Sequence, residues 1–424
     1  MPLVEVADIT LADCDAHGVR TFLDFPRKEM RAEAHALDVV GWVLRPDRRV
    51  SNVEFVVCNK VIQQTPINHR RPDIREAFPD IDHADESGFR ARLDVRGRTP
   101  NVDLQIRARF RGDDVVHLAV VRMRRRWREH RYAAGSALVS VVIPCFNQGH
   151  FLADAIESVL AQSYRHFEIV VVDDGSTDNT GELARRYPGV RCVRQENGGL
   201  SAARNTGVRR SSGDFLVFLD ADNRLLPEAL AIGLESLEEH PECGFVSGRF
   251  NFIASDGSFL WPSAQKEVAG DPYAALLREN YIGMPATVMY RRSVFEVAKG
   301  FDSRIDPAAD YDLSLRVATS YPVHFHGRPV AEYRQHGGNM TGDPARMLEA
   351  VMTAHRAHRS VVRGDEVLQR AYREGVRFWR QYYGDPLARE LRSSLRAGQW
   401  AGARRKIAIL ARYDPRALIR AHAA

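Results

Sequence analysis

The feature that most constrains the fold is an alternation of short apolar runs with amphipathic stretches across residues 138–219. The apolar runs are residues 138–143, 169–172, 190–193 and 215–219. Runs of this length, rich in β-branched residues, are typical of strands buried on both faces. The stretch between the first two runs carries an apolar stripe at helical spacing. Alternation of this kind predicts a parallel sheet covered by helices, with a ligand crevice at the carboxyl ends of its strands.

Pairs of carboxylates follow two of these predicted strands. Asp173 and Asp174 come after the second run, and Asp220-Ala221-Asp222 comes after the fourth. Carboxylate oxygens at a strand end are suitable ligands for a hard divalent cation and its phosphates. An Asp-x-Asp triplet alone is weak evidence for such a site, because strands often end in aspartate turns. Two such pairs at one edge of a sheet favour a functional site.

Composition excludes several classes of protein. The chain has 424 residues, of which 44% are hydrophobic and 27% charged, which indicates a folded protein of two or three domains. Its net charge of +5 does not argue for a nucleic-acid partner. The five scattered cysteines are typical of reduced thiols. Neither a signal-peptide core nor an apolar run near the roughly 18–20 residues of a spanning helix is found, so we expect a cytoplasmic protein.

The sequence before the alternating region predicts a separate β domain. Residues 1–30 are taken as an N-terminal extension, and residues 31–126 as a β-sandwich. Its candidate strands are residues 37–44, 53–57, 102–110 and 115–121. We favour a bracing or assembly role for this domain over carbohydrate binding. The basic stretch 127–137 is interpreted as a solvated linker, in preference to a contact with an anionic membrane surface.

The remaining chain is divided into a central domain, residues 138–343, and a helical region, residues 344–424. Within the central domain, residues 138–240 are expected to bind nucleotide and residues 241–343 to bind the acceptor. The basic amphipathic segment 404–412 is interpreted as a packed terminal helix, although it has the composition of a helix that touches anionic lipid. Peripheral association with the inner face of a membrane, and oligomerisation, therefore stay open.

The central motifs resemble, in order and spacing, the family 2 inverting glycosyltransferases of the GT-A fold. The resemblance covers residues 138–340, about half of the chain. The motifs that carry it are residues 141–147, 158–164, 168–178, 197–207, 218–222, 300–302 and 310–313. The implied fold class is α/β: a Rossmann-like GT-A domain flanked by the N-terminal β-sandwich and the C-terminal helical region.

The resemblance implies a binding site for a nucleotide-diphosphate sugar. Pro144 and Phe146 match positions that line the base, and Asp174 matches the carboxylate that accepts its N–H. This contact suits uracil or thymine, so UDP or TDP donors are expected more than GDP donors. Arg204 is expected to face the ribose or the diphosphate, where a guanidinium fork fits. The other residues assigned to this donor site are Asn147, Gly199 and Ala221.

The same resemblance implies a divalent metal, Mg²⁺ or Mn²⁺, that bridges the diphosphate oxygens. Asp222 is expected to ligate it directly, whereas Asp220 is expected to meet the ribose or a metal-bound water. His336 matches a position that offers a further metal or phosphate contact in some relatives. The alternative is a histidine in a surface loop.

The matching position for the catalytic base is Asp310. Inversion by direct displacement requires a carboxylate that takes the proton of the acceptor hydroxyl. The family commonly has an acidic pair at this point, and the chain has Ala309 in place of the first acid. Asp312 is the second candidate. The alternative role for Asp310 is to cap a helix that begins at Leu313.

Taken together, the motifs predict a metal-dependent, non-processive transferase that acts on a hydroxyl of a glycan, lipid-linked or protein acceptor. The sequence has neither spanning helices nor a Gln-x-x-Arg-Trp motif, which disfavours a membrane-embedded polysaccharide synthase. The alternative is a degenerate transferase that acts as a carbohydrate-binding or scaffold protein. A nucleotidyltransferase is disfavoured because residues 144–149 lack a basic, Gly-rich phosphate loop.

Overall fold

The computed structural model describes residues 2–97, 99–110, 114–127, 136–265 and 267–422. These residues form two compact units. The first contains the described residues up to 127 together with Pro241–Cys243 and Ser320–Pro322, and the second contains the other described residues from 136 onward. Of the predicted linker, residues 128–135 lie outside the described part of the chain.

The first unit is built from antiparallel strands. They are β1 (Pro2–Leu11), β2 (Arg20–Phe25), β3 (Arg31–Glu33), β4 (Leu37–Leu44), β5 (Val50–Val57), β6 (Lys60–Pro66), β7 (Gly88–Leu93), β8 (Asn101–Phe110) and β9 (Val115–Trp127), with a short helix α1 (Pro72–Ala77) after β6. One sheet has the order β3-β1-β9-β8-β5-β6, and the other has the order β2-β4-β7. The strands predicted near residues 37, 53, 102 and 115 are confirmed.

Both sheets contribute to a single hydrophobic core. The side chains of Val4 and Phe55 from the larger sheet lie in the same buried cluster as Val39 and Phe89 from the smaller one. The rings of Phe55 and Phe89 pack with centroids 6.3 Å apart. Residues 1–30, predicted as an extension, instead supply β1 and β2, and β1 lies between β3 and β9. The sequence pattern missed β1 because a bulge between Val6 and Asp8 interrupts its alternation of apolar and polar residues.

The second unit is organised around parallel strands, as the sequence predicted. They are β10 (Val139–Cys145), β11 (Phe167–Asp173), β12 (Val190–Arg194) and β13 (Phe215–Phe218), connected by α2 (Gly149–Leu160), α3 (Thr180–Arg185) and α4 (Leu200–Arg210). β10 pairs in parallel with β11 on one side and with β13 on the other. Their carboxyl ends therefore meet at one edge, where Asp173, Asp174 and the Asp220–Asp222 turn follow.

β10 continues through Pro144 to Cys145, two residues beyond the apolar run 138–143. Pro144 stays in register with Val172 of β11, although it has no N–H to donate. The missing N–H of Pro144 is tolerated because the pairing of β13 with β10 extends only as far as Val142. At Pro144, β10 therefore has no hydrogen bond to β13 to lose.

The sheet continues with mainly antiparallel strands. These are β14 (Arg224–Leu225), β15 (Phe245–Ile253), β16 (Phe259–Pro262), β17 (Val288–Arg291) and β18 (Val323–Arg334), with helices α5 (Ala229–Glu239), α6 (Pro272–Arg278), α7 (Val294–Ala298) and α8 (Ala309–Ser320). The complete order is β12-β11-β10-β13-β17-β15-β18-β14, with β16 paired to β15.

The apolar stretch 284–290 forms a strand only from Val288, because Pro285–Thr287 form a 3₁₀ turn. One prediction in this half needs correction. The helix expected to begin at Leu313 begins at Ala309, which puts Asp310 in its first turn.

The chain is helical from Pro344 onward, as predicted. The helices are α9 (Pro344–Ala357), α10 (Glu366–Trp379), a π-helical turn (Arg380–Gly384), α11 (Asp385–Arg396), α12 (Trp400–Tyr413) and α13 (Pro415–His422). Within the described residues, none of the helices is both long and apolar enough to cross a membrane. The domain boundaries proposed at residues 30, 126, 137 and 343 remain predictions.

Candidate active site

A cavity of about 520 Å³ lies at the carboxyl ends of the parallel strands of the second unit. Most of the predicted site residues line it: Pro144, Phe146, Asp174, Gly199, Arg204, Asp220, Asp222 and Asp310. They come from five separate segments of the chain. The crevice predicted from the strand order is therefore present, and the predicted residues meet there.

The Asp220–Asp222 turn presents its two carboxylates differently. The N–H of Asn223 donates to the carbonyl oxygen of Asp220 at 3.0 Å, which closes the turn, and Ala221 is fully buried in it. The side chain of Asp220 keeps a quarter of its surface exposed, whereas Asp222 is buried. Oδ2 of Asp222 accepts from Nε2 of His336 at 3.1 Å, but Oδ1 is buried with no partner among the described residues.

The environment of Asp222 disfavours its negative charge. Burial, followed by the nearby charge of Asp220, raises the pKa of Asp222, and the contact with His336 acts in the opposite direction. A carboxylate with an unpartnered buried oxygen requires a cation or a donor to satisfy it. Asp222 is therefore suited to ligate a cation.

His336 reaches the site, but its ring is oriented as a hydrogen-bond donor. Nδ1 of His336 accepts from the N–H of Gly338 at 3.1 Å, so the proton of a neutral ring lies on Nε2, which faces Asp222. The predicted contact of His336 with a metal or phosphate stays a prediction. In this geometry His336 orients Asp222. The described residues contain no group of three or more His, Cys, Asp and Glu side chains arranged to hold a metal by themselves.

Arg204 places a buried positive charge beside the acidic turn. Its Nη2 donates to Oδ1 of Asp220 at 2.7 Å, and its guanidinium lies over the ring of Phe301, 5.4 Å from the centroid. The side chain is 2% exposed, and neither Nε nor Nη1 has a partner in the described part of the chain. Although burial opposes it, the charges of Asp220 and Asp310 raise the pKa of Arg204. The Nε and Nη1 donors of Arg204 are therefore available to bind an anion.

Asp310 and Asp312 lie in the first turn of α8 but face different surroundings. Asp310 lines the cavity, and burial raises its pKa, against the opposing effect of Arg204. Asp312 does not line the cavity. Its Oδ2 accepts from Nε of Arg316 at 2.7 Å, and Arg316 in turn donates to the carbonyl oxygen of Gly300. Asp312 therefore supports the 300–302 loop, which leaves Asp310 as the cavity carboxylate of this helix.

The other predicted donor-site residues form the opposite edge of the cavity. The ring of Phe146 is 47% exposed and so presents a free face. Oδ1 of Asp174 accepts from Gln195 and Gly198, whereas Oδ2 accepts only from the N–H of Gly199, at 2.9 Å. Asp174 thus fixes the loop before α4 and retains acceptor capacity on Oδ2.

Asn147 and Gly199 are needed mainly for backbone geometry. Asn147 has a positive φ of 52°, and its Oδ1 accepts from the N–H of Thr177 at 2.8 Å, so it joins two loops and does not line the cavity. Gly199 has a φ of 87°, and a Cβ there would lie 3.3 Å from a carboxylate oxygen of Asp306. A larger residue at position 199 would therefore be strained and would crowd the start of α4.

Sequence reasoning missed Arg334, which holds the acidic turn in place. Its side chain is almost fully buried, and Nε donates to the carbonyl oxygen of Asp222 at 2.8 Å. Its backbone N–H donates to Oδ1 of Asn223 at 2.9 Å, and Nη2 pairs with Asp154 of α2 at 2.6 Å. One arginine at the end of β18 thus connects the turn to two other elements. The sequence feature that could have identified Arg334 as a site residue is its position two residues before His336.

The C-terminal helices also contribute to the cavity, which the sequence did not predict. Met347 of α9, Trp379 of α10 and Tyr383 of the π-helical turn line it, together with Tyr333. Trp379 is buried, and its Nε1 has no hydrogen-bond partner among the described residues. Burial, followed by the charges of Tyr382, Tyr333 and Asp310, raises the pKa of Tyr383. The helical region thus forms one wall of the cavity.

A parallel half-sheet, an acid turn at its carboxyl edge and a carboxylate on a following helix are the arrangement expected of the GT-A fold. The glycosyl transferase family 2 model matches residues 140–298. The glycosyltransferase TuaG of Bacillus subtilis (strain 168) is 34% identical over 205 residues, which cover 46% of this chain and 79% of that protein. The chain belongs to glycosyltransferase family 2.

Other relatives match shorter or similar lengths of the chain. Glycosyltransferase GlyG of Streptococcus pneumoniae serotype 4 is 34% identical over 131 residues, covering 30% of this chain and 44% of that protein. The chain spans only 34% of an uncharacterized glycosyltransferase of Rickettsia felis and 20% of glycosyltransferase GlyA of S. pneumoniae. A solved structure, S. aureus TarS 1-349 in complex with UDP-GlcNAc, aligns with a TM-score of 0.47 and 19% identity, covering 56% of this chain and 71% of that one.

Proposed function

We propose that the protein transfers a sugar from a nucleotide-diphosphate sugar to an acceptor hydroxyl, with inversion at the anomeric carbon. One observation carries the proposal. A single cavity holds an arginine with two unpartnered N–H groups, a buried carboxylate with an unpartnered oxygen, and a second carboxylate on another helix. These groups match the diphosphate, its counter-cation and the attacking hydroxyl.

The nucleotide is proposed to bind along the Phe146 and Asp174 edge. The exposed ring face of Phe146 can stack on the base. The remaining acceptor capacity of Asp174 Oδ2 can receive an N–H of the base. Uracil and thymine each present one such N–H. Because guanine also has N–H donors, our preference for UDP or TDP over GDP rests on the match of Asp174 to the base-binding carboxylate of the family. Arg204 then has Nε and Nη1 available for the ribose or diphosphate oxygens.

A divalent cation fits Asp222 better than any other described residue of the cavity. Its unpartnered Oδ1 is an oxygen donor of the kind that Mg²⁺ and Mn²⁺ prefer, and the nearby charge of Asp220 increases the need for a cation. Because the described residues offer no complete ligand cluster, the diphosphate is proposed to supply further ligands. When bound, the metal supplies charge neutralisation of the leaving diphosphate.

Asp310 is proposed to take the proton from the acceptor hydroxyl. The oxygen of that hydroxyl forms a bond to the anomeric carbon while the bond to the diphosphate oxygen breaks, and the proton moves to the Asp310 carboxylate. Because burial raises its pKa, Asp310 is a stronger proton acceptor than an exposed aspartate. Displacement from the face opposite the leaving group inverts the configuration.

The acceptor is proposed to contact the wall formed by Tyr333, Met347, Trp379 and Tyr383. Aromatic faces are suited to pack against sugar rings, and Trp379 has a buried indole N–H without a partner in the described structure. Tyr383 retains its proton because its pKa is raised, so it can donate a hydrogen bond to an acceptor oxygen. A glycan, a lipid-linked sugar or a glycosylated protein would each present such a ring.

The test is a panel of UDP-, TDP- and GDP-sugars with Mn²⁺, in which release of nucleoside diphosphate and thermal stabilisation are both measured. Binding of the correct donor should raise the unfolding temperature by mass action. Release with at least one UDP- or TDP-sugar is expected. If binding is seen without release for any acceptor offered, the alternative of a degenerate, carbohydrate-binding transferase is supported instead.

A further inference from the structure

A second cavity, distinct from the active site, lies among the C-terminal helices and is strongly basic. Its volume is about 1170 Å³. We call it the arginine groove, defined by the lining arginines Arg356, Arg359, Arg363, Arg373, Arg377, Arg380 and Arg416. A single acidic side chain, Asp414, lines it as well, and this carboxylate accepts from the N–H of Ala417 at the start of α13.

The arginines are clustered on two segments of the chain. Arg356 lies on α9, and Arg359 and Arg363 lie in the turn that follows this helix. Arg373 and Arg377 lie one turn apart on α10, and Arg380 follows at the start of the π-helical turn. Like charges four residues apart on a helix repel each other and destabilise it. A ligand that neutralises Arg373 and Arg377 would remove this repulsion.

Several of these arginines have no acidic partner. Among the described residues, no carboxylate forms an ion pair with Arg359, Arg373, Arg377 or Arg416, and all four side chains are exposed. Arg356 and Arg380 instead donate to the carbonyl oxygens of Arg412 and Tyr413, which fixes them at the groove wall. The floor is apolar, with Met352, Val362 and Val376.

The groove is close to the active site because both use the same helices. On α9, Val351 lines the catalytic cavity and the next residue, Met352, lines the groove. In the π-helical turn, Arg380 lines the groove and Tyr383 lines the cavity. The two spaces are thus separated by about the width of a helix, roughly 10–12 Å. A chain of several sugars is long enough to contact both.

We propose that the arginine groove binds an acidic glycan chain that bears carboxylate or phosphate groups at regular intervals. Guanidinium forks pair with either group, and the apolar floor suits the faces of sugar rings. A concave groove accepts an extended chain, whereas the flat surface of a bilayer would not enter it. The idea that this glycan is the acceptor rests on the proposed function. The prediction that the groove binds the glycan does not depend on that function.

The test measures binding of fluorescently labelled oligogalacturonate, poly(glycerol phosphate) and neutral maltoheptaose to the full chain, without any donor. The first probe carries carboxylates and the second phosphates, so the two arms identify the anion. We expect one or both acidic probes to bind and the neutral probe not to bind. Affinity should fall as salt rises, because exposed charges are screened.

The decisive variant is Arg373→Gln/Arg377→Gln, with Arg404→Gln/Arg405→Gln as its matched control. The control pair removes the same charge from exposed positions of α12 that do not line the groove. The groove variant should bind the acidic probe about tenfold more weakly or worse, and the control should bind like the wild type. Arg373→Lys/Arg377→Lys, which keeps the charge but loses the forks, should fall between them. Unfolding temperatures of all variants verify the fold.

Three results would overturn the proposal. The first is that neither acidic probe binds. The second is that both double variants lose affinity equally, which indicates a general charge effect. The third is that, of the acidic probes and phosphatidylglycerol vesicles offered in the same assay, only the vesicles bind, in a groove-dependent manner. Donor turnover is not a readout, so a failure of the donor panel and a failure of this test are distinguishable.

Discussion

Asp310→Asn separates the chemistry at Asp310 from binding and folding, because it removes the charge and keeps the shape. Asparagine has nearly the same volume as aspartate and occupies the same position in the first turn of α8. Arg204 keeps its partner Asp220 at 2.7 Å, so the donor side of the cavity is retained. The amide cannot take a proton. The turnover number should therefore fall by about 10²–10⁴-fold, or about 3–5 kcal/mol in the barrier, with little change in donor KM.

The same substitution has a predicted effect on stability. Burial raises the pKa of Asp310, so the fold favours the protonated form over the ionised one. The resulting stabilisation is present below the pKa of the unfolded chain and is lost as pH rises through the higher pKa of the folded state. Asparagine resembles the protonated form. At neutral pH, Asp310→Asn should therefore unfold at the same or a higher temperature than the wild type.

The assay is steady-state release of nucleoside diphosphate across pH, with Asp312→Asn as the matched control. In the wild type, activity should fall on the acid side at a pH above the ordinary range of an aspartate, because the base must be ionised. Asp312→Asn alters a carboxylate of the same helix that pairs with Arg316 outside the cavity. Because Asp312 supports the 300–302 loop, its substitution should lower the unfolding temperature, but its turnover should fall far less than that of Asp310→Asn. Near-normal turnover of Asp310→Asn, or an equal loss in the control, would refute this assignment of the base.

Three further substitutions test the donor site. Phe146→Ala removes an exposed ring, so donor KM should rise up to about tenfold, by steady-state kinetics, while the unfolding temperature stays unchanged. Arg204→Lys keeps the charge but loses the fork, so the thermal shift produced by UDP should shrink or vanish; an undiminished shift would remove Arg204 from the phosphate site. Arg334→Lys should lower both stability and turnover, since it breaks hydrogen bonds to charged or backbone groups worth about 1.5–3 kcal/mol each. If calorimetry finds its stability intact, Arg334 does not hold the acidic turn.

The local parts of this architecture could be predicted from the sequence. Apolar runs with β-branched residues identify buried strands, and the rule that parallel strands share a carboxyl edge predicts that Asp174 and Asp222 approach each other. Residue spacing also identifies α8 and its acidic first turn, although its start was placed four residues late. Glycosyltransferase family membership, predicted from the order of the motifs, is confirmed.

The contacts that sequence reasoning missed are long-range. Arg334 donates to Asp222 across 112 residues, and no local periodicity encodes such a contact. Trp379 and Tyr383 lie on helices whose apolar stripes predict packing but not which cavity they face. The orientation of His336 depends on the N–H of Gly338, which only the loop geometry reveals. Strand β1 was missed because its bulge between Val6 and Asp8 interrupts the alternation of apolar and polar residues.

The most direct test of the central claim is calorimetric binding of UDP and TDP with and without Mn²⁺, for the wild type and for Asp222→Asn. The wild type should bind at least one of the two nucleotides when the metal is present and much more weakly after chelation. Asp222→Asn should lose the metal-dependent part, because the carboxylate that carries the unpartnered oxygen is gone. Failure of both nucleotides to bind with the metal, or binding that is equally tight without it, would contradict the account.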